Sequence, residues 1–232
     1  LFPPNWTPTM PHLALPTLTA YLRAHGVEVV QRDLNQEVFD EILTREHVQG
    51  AVKRVRERFG AKKKHKTARG LQPPAKVQPP VELVQWALSE GPKLASQIDG
   101  AMDVMRSNRF YDGPIGLRAF ETMVACLQIA SLPFYPASLE LSTYIPARPA
   151  DNSRYLLDGV RDKQYNMFID IFARGVIADI KREQPDVVGI SIPTLAQMLP
   201  GMTLAHLIKA SGLSCHITVG GPHISMLRDQ LP

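Results

Sequence analysis

The sequence predicts an α/β fold: an incomplete parallel sheet interrupted by a large, mostly helical insertion. Three observations predict it. Two β-branched runs, PDVVGISI (185–192) and SCHITVGG (214–221), flank a helix-period stretch, MTLAHLIKASG (202–212). Strand, helix and strand in that order give a right-handed βαβ crossover. Near the other end, a proline-rich loop (1–12), a helix-period stretch, Gly26 and the run VEVVQRDLN (27–35) form the front half of a second α/β unit. Between about 36 and 183 the patterning is mostly helical.

Each element has its own justification. LFPPNWTPTMPH carries four prolines and reads as loop. Leu13, Leu15, Leu18, Tyr21 and Leu22 fall near helical period, and Pro16 restricts the helix start to about Leu15–Thr17. Residues 36–66 read as charged helix, and GLQPPAKVQPP (70–80) as a proline-rich linker. Val81–Gln97 and Asp99–Asn108 suggest two short helices. In GLRAFETMVACLQIA (116–130), Leu117, Phe120, Val124, Leu127 and Ile129 or Ala130 mark one helical face. SLPFYPASLELSTYIPARP (131–149) reads as extended. FIDIFARGVIADIKRE is a helix with Phe168, Ile169, Phe172, Val176, Ile177 and Ile180 inward. Two runs of the kind buried in parallel sheets close the pattern, with PTLAQMLPG (193–201) as the loop between strand and helix. The domain reading is therefore 1–35 with 184–232 as the α/β part, and 36–183 as the insertion with its basic, proline-rich linker.

Bulk properties narrow the function. The 232 residues are 44% hydrophobic and 21% charged, which suits a globular chain. The net charge of +4 is concentrated in 52–70, where Lys and Arg outnumber the single acid Glu57. Nucleic acid is disfavoured as its partner, because only Phe59 is interleaved for stacking; a solvated helix end is preferred. Cys126 and Cys215 lie far apart, so no CxxC metal set arises and a reducing cytoplasm is expected. No apolar run of 18 residues and no signal peptide is read, so no membrane association is expected.

Ligands of open parallel sheets bind beyond the carboxyl ends of the strands. Three such ends are visible here: Asn5, Trp6 and Thr7; Ser191, Ile192, Pro193 and Thr194; and Gly220, Gly221, Pro222 and His223. Glycines at a strand end let a ligand or another backbone approach, and the two readings of Gly220–Gly221 are a cleared ligand site and a plain tight turn. Ser191 and Thr194 offer short hydroxyls. No GxGxxG follows a strand and no GxxxxGK[ST] is present, which argues against NAD and ATP. Asp33, Asp112, Asp158 and Asp186 stand at element boundaries, where capping is the simpler role. No nucleophile–base pair follows from spacing.

FPPNWTPTMPHLALPTLTAYLRAHGVEVVQRDLN, PDVVGISIPTLAQMLPGMTLAHLIKASG and ITVGGPH together resemble the N-terminal cobalamin (vitamin B12)-binding region of cobalamin-dependent radical SAM proteins. SLPFYPASLELSTY and LLDGVRDKQYNMFIDIF add to the likeness. The resemblance implies a flavodoxin-like, Rossmann-like sheet with the corrin above its strand ends. The nucleotide tail would lie against the loop after Ser191 and the Gly220–Gly221 turn. It implies a cofactor-binding module of an enzyme of methyl transfer or related radical chemistry, with S-adenosylmethionine and a 4Fe–4S cluster held by a C-terminal radical SAM domain. This chain lacks both the CxxxCxxC triplet and the DxHxxG motif that supplies a lower cobalt ligand in cobalamin mutases. His12 and His223 are the alternatives for that ligand; a loop role for His12 and a pocket-edge hydrogen bond for His223 are preferred.

The chain is accordingly expected to be a fragment, itself not catalytic, with its first strand reduced to Leu1 and Phe2 and later strands missing after Pro232. Residues 27–33 and 186–192 would then face a gap or pair directly. The alternative is a non-enzymatic cobalamin-fold sensor or interaction domain. A glycosyltransferase-like doubly wound domain ranks lower, because no acidic pair tops a strand.

Overall fold

The computed structural model of the chain describes residues 1–60, 77–150 and 152–230. In chain order, helices α1 (Ala14–Ala24), α2 (Leu34–Ile42), α3 (Arg45–Phe59), α4 (Val81–Met105) and α5 (Gly113–Ser131) precede two short strands, β1 (Ser138–Leu139) and β2 (Tyr144–Ile145). Then follow α6 (Ser153–Gly159), α7 (Phe168–Ile171), α8 (Ile177–Glu183), β3 (Val187–Ser191), α9 (Met198–Ala210), β4 (His216–Gly220) and α10 (Pro222–Met226). The chain divides into two compact units, one made of Leu1–Phe39 and Leu141–Pro232, the other of Asp40–Glu140. The stretch expected as a single insertion is thus shared: 40–140 form the second unit, and 141–183 belong with the sheet residues.

The first unit is built on parallel pairing. β3 and β4 are in register from Val187↔His216 to Ser191↔Gly220. On the other side of β3, the Leu1 nitrogen donates to Gly189 O at 2.7 Å and Ser191 N–H donates to Leu1 O at 3.0 Å. Phe2 N–H donates to Arg32 O at 3.2 Å, Asn35 N–H donates to Phe2 O at 3.0 Å, and Phe2 bridges Asp33 in parallel. The lateral order is therefore Arg32–Asp33, Leu1–Phe2, β3, β4. The expected gap is absent, and so is direct pairing of 27–33 with 186–192, because Leu1 and Phe2 lie between them.

The expected strand 27–35 is reduced to the single bridge at Asp33. Only Phe2 stands opposite it, so residues 27–32 form no ladder; Val27 and Val30 stay exposed, and α2 starts at Leu34. β3 also departs from a strand buried on both faces. Val188, Ile190 and Ser191 are buried while Val187 is 57% exposed, and no residue of β4 is buried. α9 packs against β3, and α7 and the following turn pack on α9, covering one face. α9 begins at Met198, so most of the expected 193–201 loop is a 3-10 turn and helix.

The helical stretch 168–183 buries all six residues expected of it, Phe168, Ile169, Phe172, Val176, Ile177 and Ile180. A π turn at Phe172–Val176 sits between α7 and α8. Buried Asn166 starts the stretch: its Oδ1 accepts from Phe168 N–H at 3.1 Å, and its Nδ2 donates to Gly159 O at 3.0 Å and Thr203 Oγ1 at 2.8 Å. α1 is more exposed than its pattern suggests. Leu15 and Thr19 are buried, whereas Leu13, Leu18, Tyr21 and Leu22 are exposed.

In the second unit α3, α4 and α5 pack on one another. α4 is one helix of 25 residues, where two short ones were expected, and it runs through Pro92. Gly91 lets α4 meet α3, since a Cβ there would stand 2.5 Å from Val52 Cγ2. The face of α5 is also rotated from expectation. Leu117, Phe120 and Val124 are exposed, whereas Leu127, Ile129 and Ala130 are buried as expected, in a stripe shared with Gly116, Ala119, Met123 and Cys126. Small residues win that face because they let helix axes approach, and Gly116 sits against Phe110 O, 2.0 Å from where a Cβ would be. Among the described residues one stretch, Gly113–Phe134, is long and apolar enough to cross a membrane, and half of it is buried within the protein. Arg118, Glu121 and Gln128 interrupt it, so it is not an unbroken apolar run. The basic run and linker at 61–76 lie outside the described residues.

Two acids are held protonated by burial. Cys126, with no exposed surface, has its thiol pushed up to about 12 from an ordinary 9.0. Tyr144 has its phenol raised above the ordinary range for the same reason. Both folded-state values exceed the unfolded ones, so above about pH 9 the unfolded chain releases protons that the folded chain keeps. Urea midpoints are therefore expected to fall progressively above pH 9. Cys126→Ala should flatten that fall for the helical unit, at a cost of about 1 kcal/mol at neutral pH from the lost packing. A Cys126→Ala chain with an unchanged alkaline slope would remove the thiol as its cause.

Candidate functional site

Because the strands run parallel, their carboxyl ends lie on one edge of the sheet, and the loops that leave them share it. Phe2 leads into the loop carrying Asn5, Trp6 and Thr7. Ser191 leads into Ile192, Pro193 and Thr194. Gly220 leads into Gly221, Pro222 and His223. Ser191 and Gly220 are direct cross-strand partners. The three groups of residues picked from sequence are thus brought to one edge.

The first loop is tied down from several directions. Trp6 N–H donates to Asn35 Oδ1 at 2.9 Å, and the Trp6 indole N–H donates to Met10 O at 3.0 Å. Gln36 Nε2 donates to Pro8 O. His12 stacks on the buried Phe2 ring, with centroids 3.5 Å apart and planes 11° from parallel. Its Nε2 lies 3.2 Å from Asp33 Oδ2. Asp33 Oδ1 meanwhile accepts from Asn35 N–H at 3.1 Å and Gln36 N–H at 3.2 Å, capping α2. Phe2 also meets Trp6 edge to face at 6.2 Å. Asn5 is 1% exposed and so belongs to the loop's interior.

The second loop is closed by Gln197, which has no exposed surface. Its Nε2 donates to Pro3 O at 2.7 Å and its Oε1 accepts from Thr194 Oγ1 at 3.2 Å. The Thr194 hydroxyl is therefore already engaged. Ile192 points inward: it is fully buried, and Gly201 of α9 makes room for its Cδ1, 2.5 Å from a Cβ placed there. Sequence reasoning missed Gln197 and Gly201. The spacing Thr194-Leu-Ala-Gln197 matches the T-x-x-Q of a capping box, but here the two side chains bond each other and not the backbone amides, so the pattern names the pair and not its role.

The glycine pair divides its labour. Ile192 N–H donates to Gly220 O at 2.7 Å, closing the ladder. Gly221 takes φ of +112°, and a Cβ on it would stand 2.7 Å from Ile192 O and 2.8 Å from Ile192 C. Its missing side chain is replaced by the neighbouring strand's backbone, not by a ligand. Gly220 is different: a Cβ there would meet nothing within 4 Å. Pro222 and His223 open α10. His223 is half-buried, and its Nε2 is a buried atom with no hydrogen-bond partner.

The site's ionisable groups are few, and they already have partners in part. Arg32, next to Asp33, is held by Glu37 at 2.5 Å and Asp179 at 3.1 Å. Among the described residues no group of three His, Cys, Asp or Glu side chains is placed to hold a metal ion. A shallow pocket lies elsewhere in the same unit, lined by Pro146, Arg148, Tyr155, Asp162, Tyr165 and Leu199 among others, and touches none of the strand-end residues. No protein-family model, curated protein or solved structure matches this chain.

Gly221→Ala should destabilise the sheet unit by roughly 1–3 kcal/mol, because it combines a strained positive φ with a contact to unyielding backbone. Gly220→Ala should change stability by less than about 0.5 kcal/mol. Urea melts of the two variants check the difference; equal losses would refute the division of roles between the glycines.

Proposed function

We propose that the chain is the cobalamin-binding module of a radical SAM enzyme of methyl transfer or related radical chemistry, with a flavodoxin-like sheet whose strand ends form the cofactor shelf. The carrying observation is the pairing of Ser191 with Gly220 at the ends of parallel strands, with open space over Gly220. The lateral order Arg32–Asp33, Leu1–Phe2, β3, β4 supports the reading, since a 2-1-3-4-5 sheet begins in that order.

The residues fit a flat, amide-bearing group in part. Ser191 and Gly220 are small enough for close backbone approach. His223 Nε2 is a buried nitrogen in want of a partner beside that edge. Gly221 is closed by Ile192, so it shapes the turn and does not receive the tail. His12 is committed to Asp33 and Phe2 and is not assigned as a cobalt ligand. Bound cobalamin would supply the methyl-carrying cobalt. This chain's own part is to position the corrin, to present small surfaces and to exclude water. S-adenosylmethionine and the 4Fe–4S cluster belong to the radical SAM half of the reading, and no residue described here is assigned to them.

Incubation of the purified chain with hydroxocobalamin, followed by desalting, tests this directly. Retained corrin absorbance at near one equivalent is expected. Gly220→Leu should weaken retention by about tenfold or more while leaving the urea midpoint within error, because the new side chain fills only the shelf. A colourless wild-type chain, beside a family member that takes up the cofactor, ends the proposal.

A further inference from the structure

We propose that His12 is a positioning residue: its bond to Asp33 latches the proline-rich loop onto the sheet edge in the form that receives a ligand. For its ligand the inference rests on the cobalamin reading; for the latch itself it rests on geometry alone. Asp33 has two jobs on two oxygens. Oδ1 caps α2 through Asn35 and Gln36, and Oδ2 faces His12 Nε2 at 3.2 Å. One carboxylate thereby joins the loop's last residues to the helix that follows the strand end. Asn35 extends the join by accepting from Trp6 N–H.

A carboxylate acceptor places the imidazole proton on Nε2, so the neutral ring carries its lone pair on Nδ1. That Nδ1 is buried and has no partner. Buried polar atoms are nearly always paired, so holding this one unpaired has a cost that the Asp33 bond and the Phe2 stack must outweigh. The two supports are separable by substitution. His12→Phe keeps an aromatic ring over Phe2 and loses the hydrogen bond. His12→Gln places an amide N–H near the former Nε2 and loses the stack.

The experiment reads the loop at Trp6, in a Trp86→Phe background that leaves one tryptophan. Acrylamide quenching of Trp6 and hydroxocobalamin retention are measured for both variants, with urea midpoints as the control for folding. His12→Phe should make Trp6 more quenchable and weaken retention roughly tenfold, and His12→Gln should stay within about threefold of wild type. His12→Phe indistinguishable from wild type overturns the latch. So does His12→Gln as impaired as His12→Phe, which would transfer the role to ring stacking. If the wild-type chain retains no corrin, the cofactor reading fails on its own, and the Trp6 quenching comparison still decides the latch.

Discussion

Everything at the sheet edge depends on two residues occupying the slot between Arg32–Asp33 and β3. Leu1 and Phe2 exchange backbone hydrogen bonds with Gly189 and Ser191 on one side and with Arg32 and Asn35 on the other. An unfilled slot would leave those groups without their backbone partners. Filling it does more than satisfy bonds. Phe2, fully buried, is also the platform for His12 and the edge contact for Trp6. The loop's geometry is thus inherited from the same residue that completes the sheet.

This arrangement explains where the sequence was legible. The amphipathic stretch 168–183 was read residue by residue, because large β-branched and aromatic groups at helical period have one sensible destination. The βαβ order of β3, α9 and β4 was equally clear. Reading failed where partners decide. VEVVQRDLN opens with β-branched valines, yet a ladder needs a facing strand, and only Phe2 faces it. α5 failed for a different reason. Its largest apolar groups, Leu117, Phe120 and Val124, pointed to one face, but the bundle chose the face of Gly116, Ala119 and Cys126, where close approach is possible. Periodicity locates a stripe; packing between neighbours selects which stripe is buried.

The candidate site was legible as a set of positions and much less as a set of contacts. Strand-end logic placed Asn5–Thr7, Ser191–Thr194 and Gly220–His223 together, and a parallel ladder leaves them no other arrangement. It could not tell which polar groups the protein had already used. Thr194 is spent on Gln197, the Trp6 indole on Met10, and His12 on Asp33. Those pairings span 3 to 21 positions, and Gln197 to Pro3 spans 194, so the longer ones leave no local pattern.

The two glycines carry the argument to its end. Adjacent and identical in sequence, they answer different demands: Gly221 yields to the backbone of Ile192, and Gly220 yields to open space. A turn alone requires only the first. Under the cobalamin proposal, the open position at Gly220, beside Ser191 and on the edge where loops converge, is where a flat ligand would approach. On that proposal, shape more than charge would be what this edge contributes.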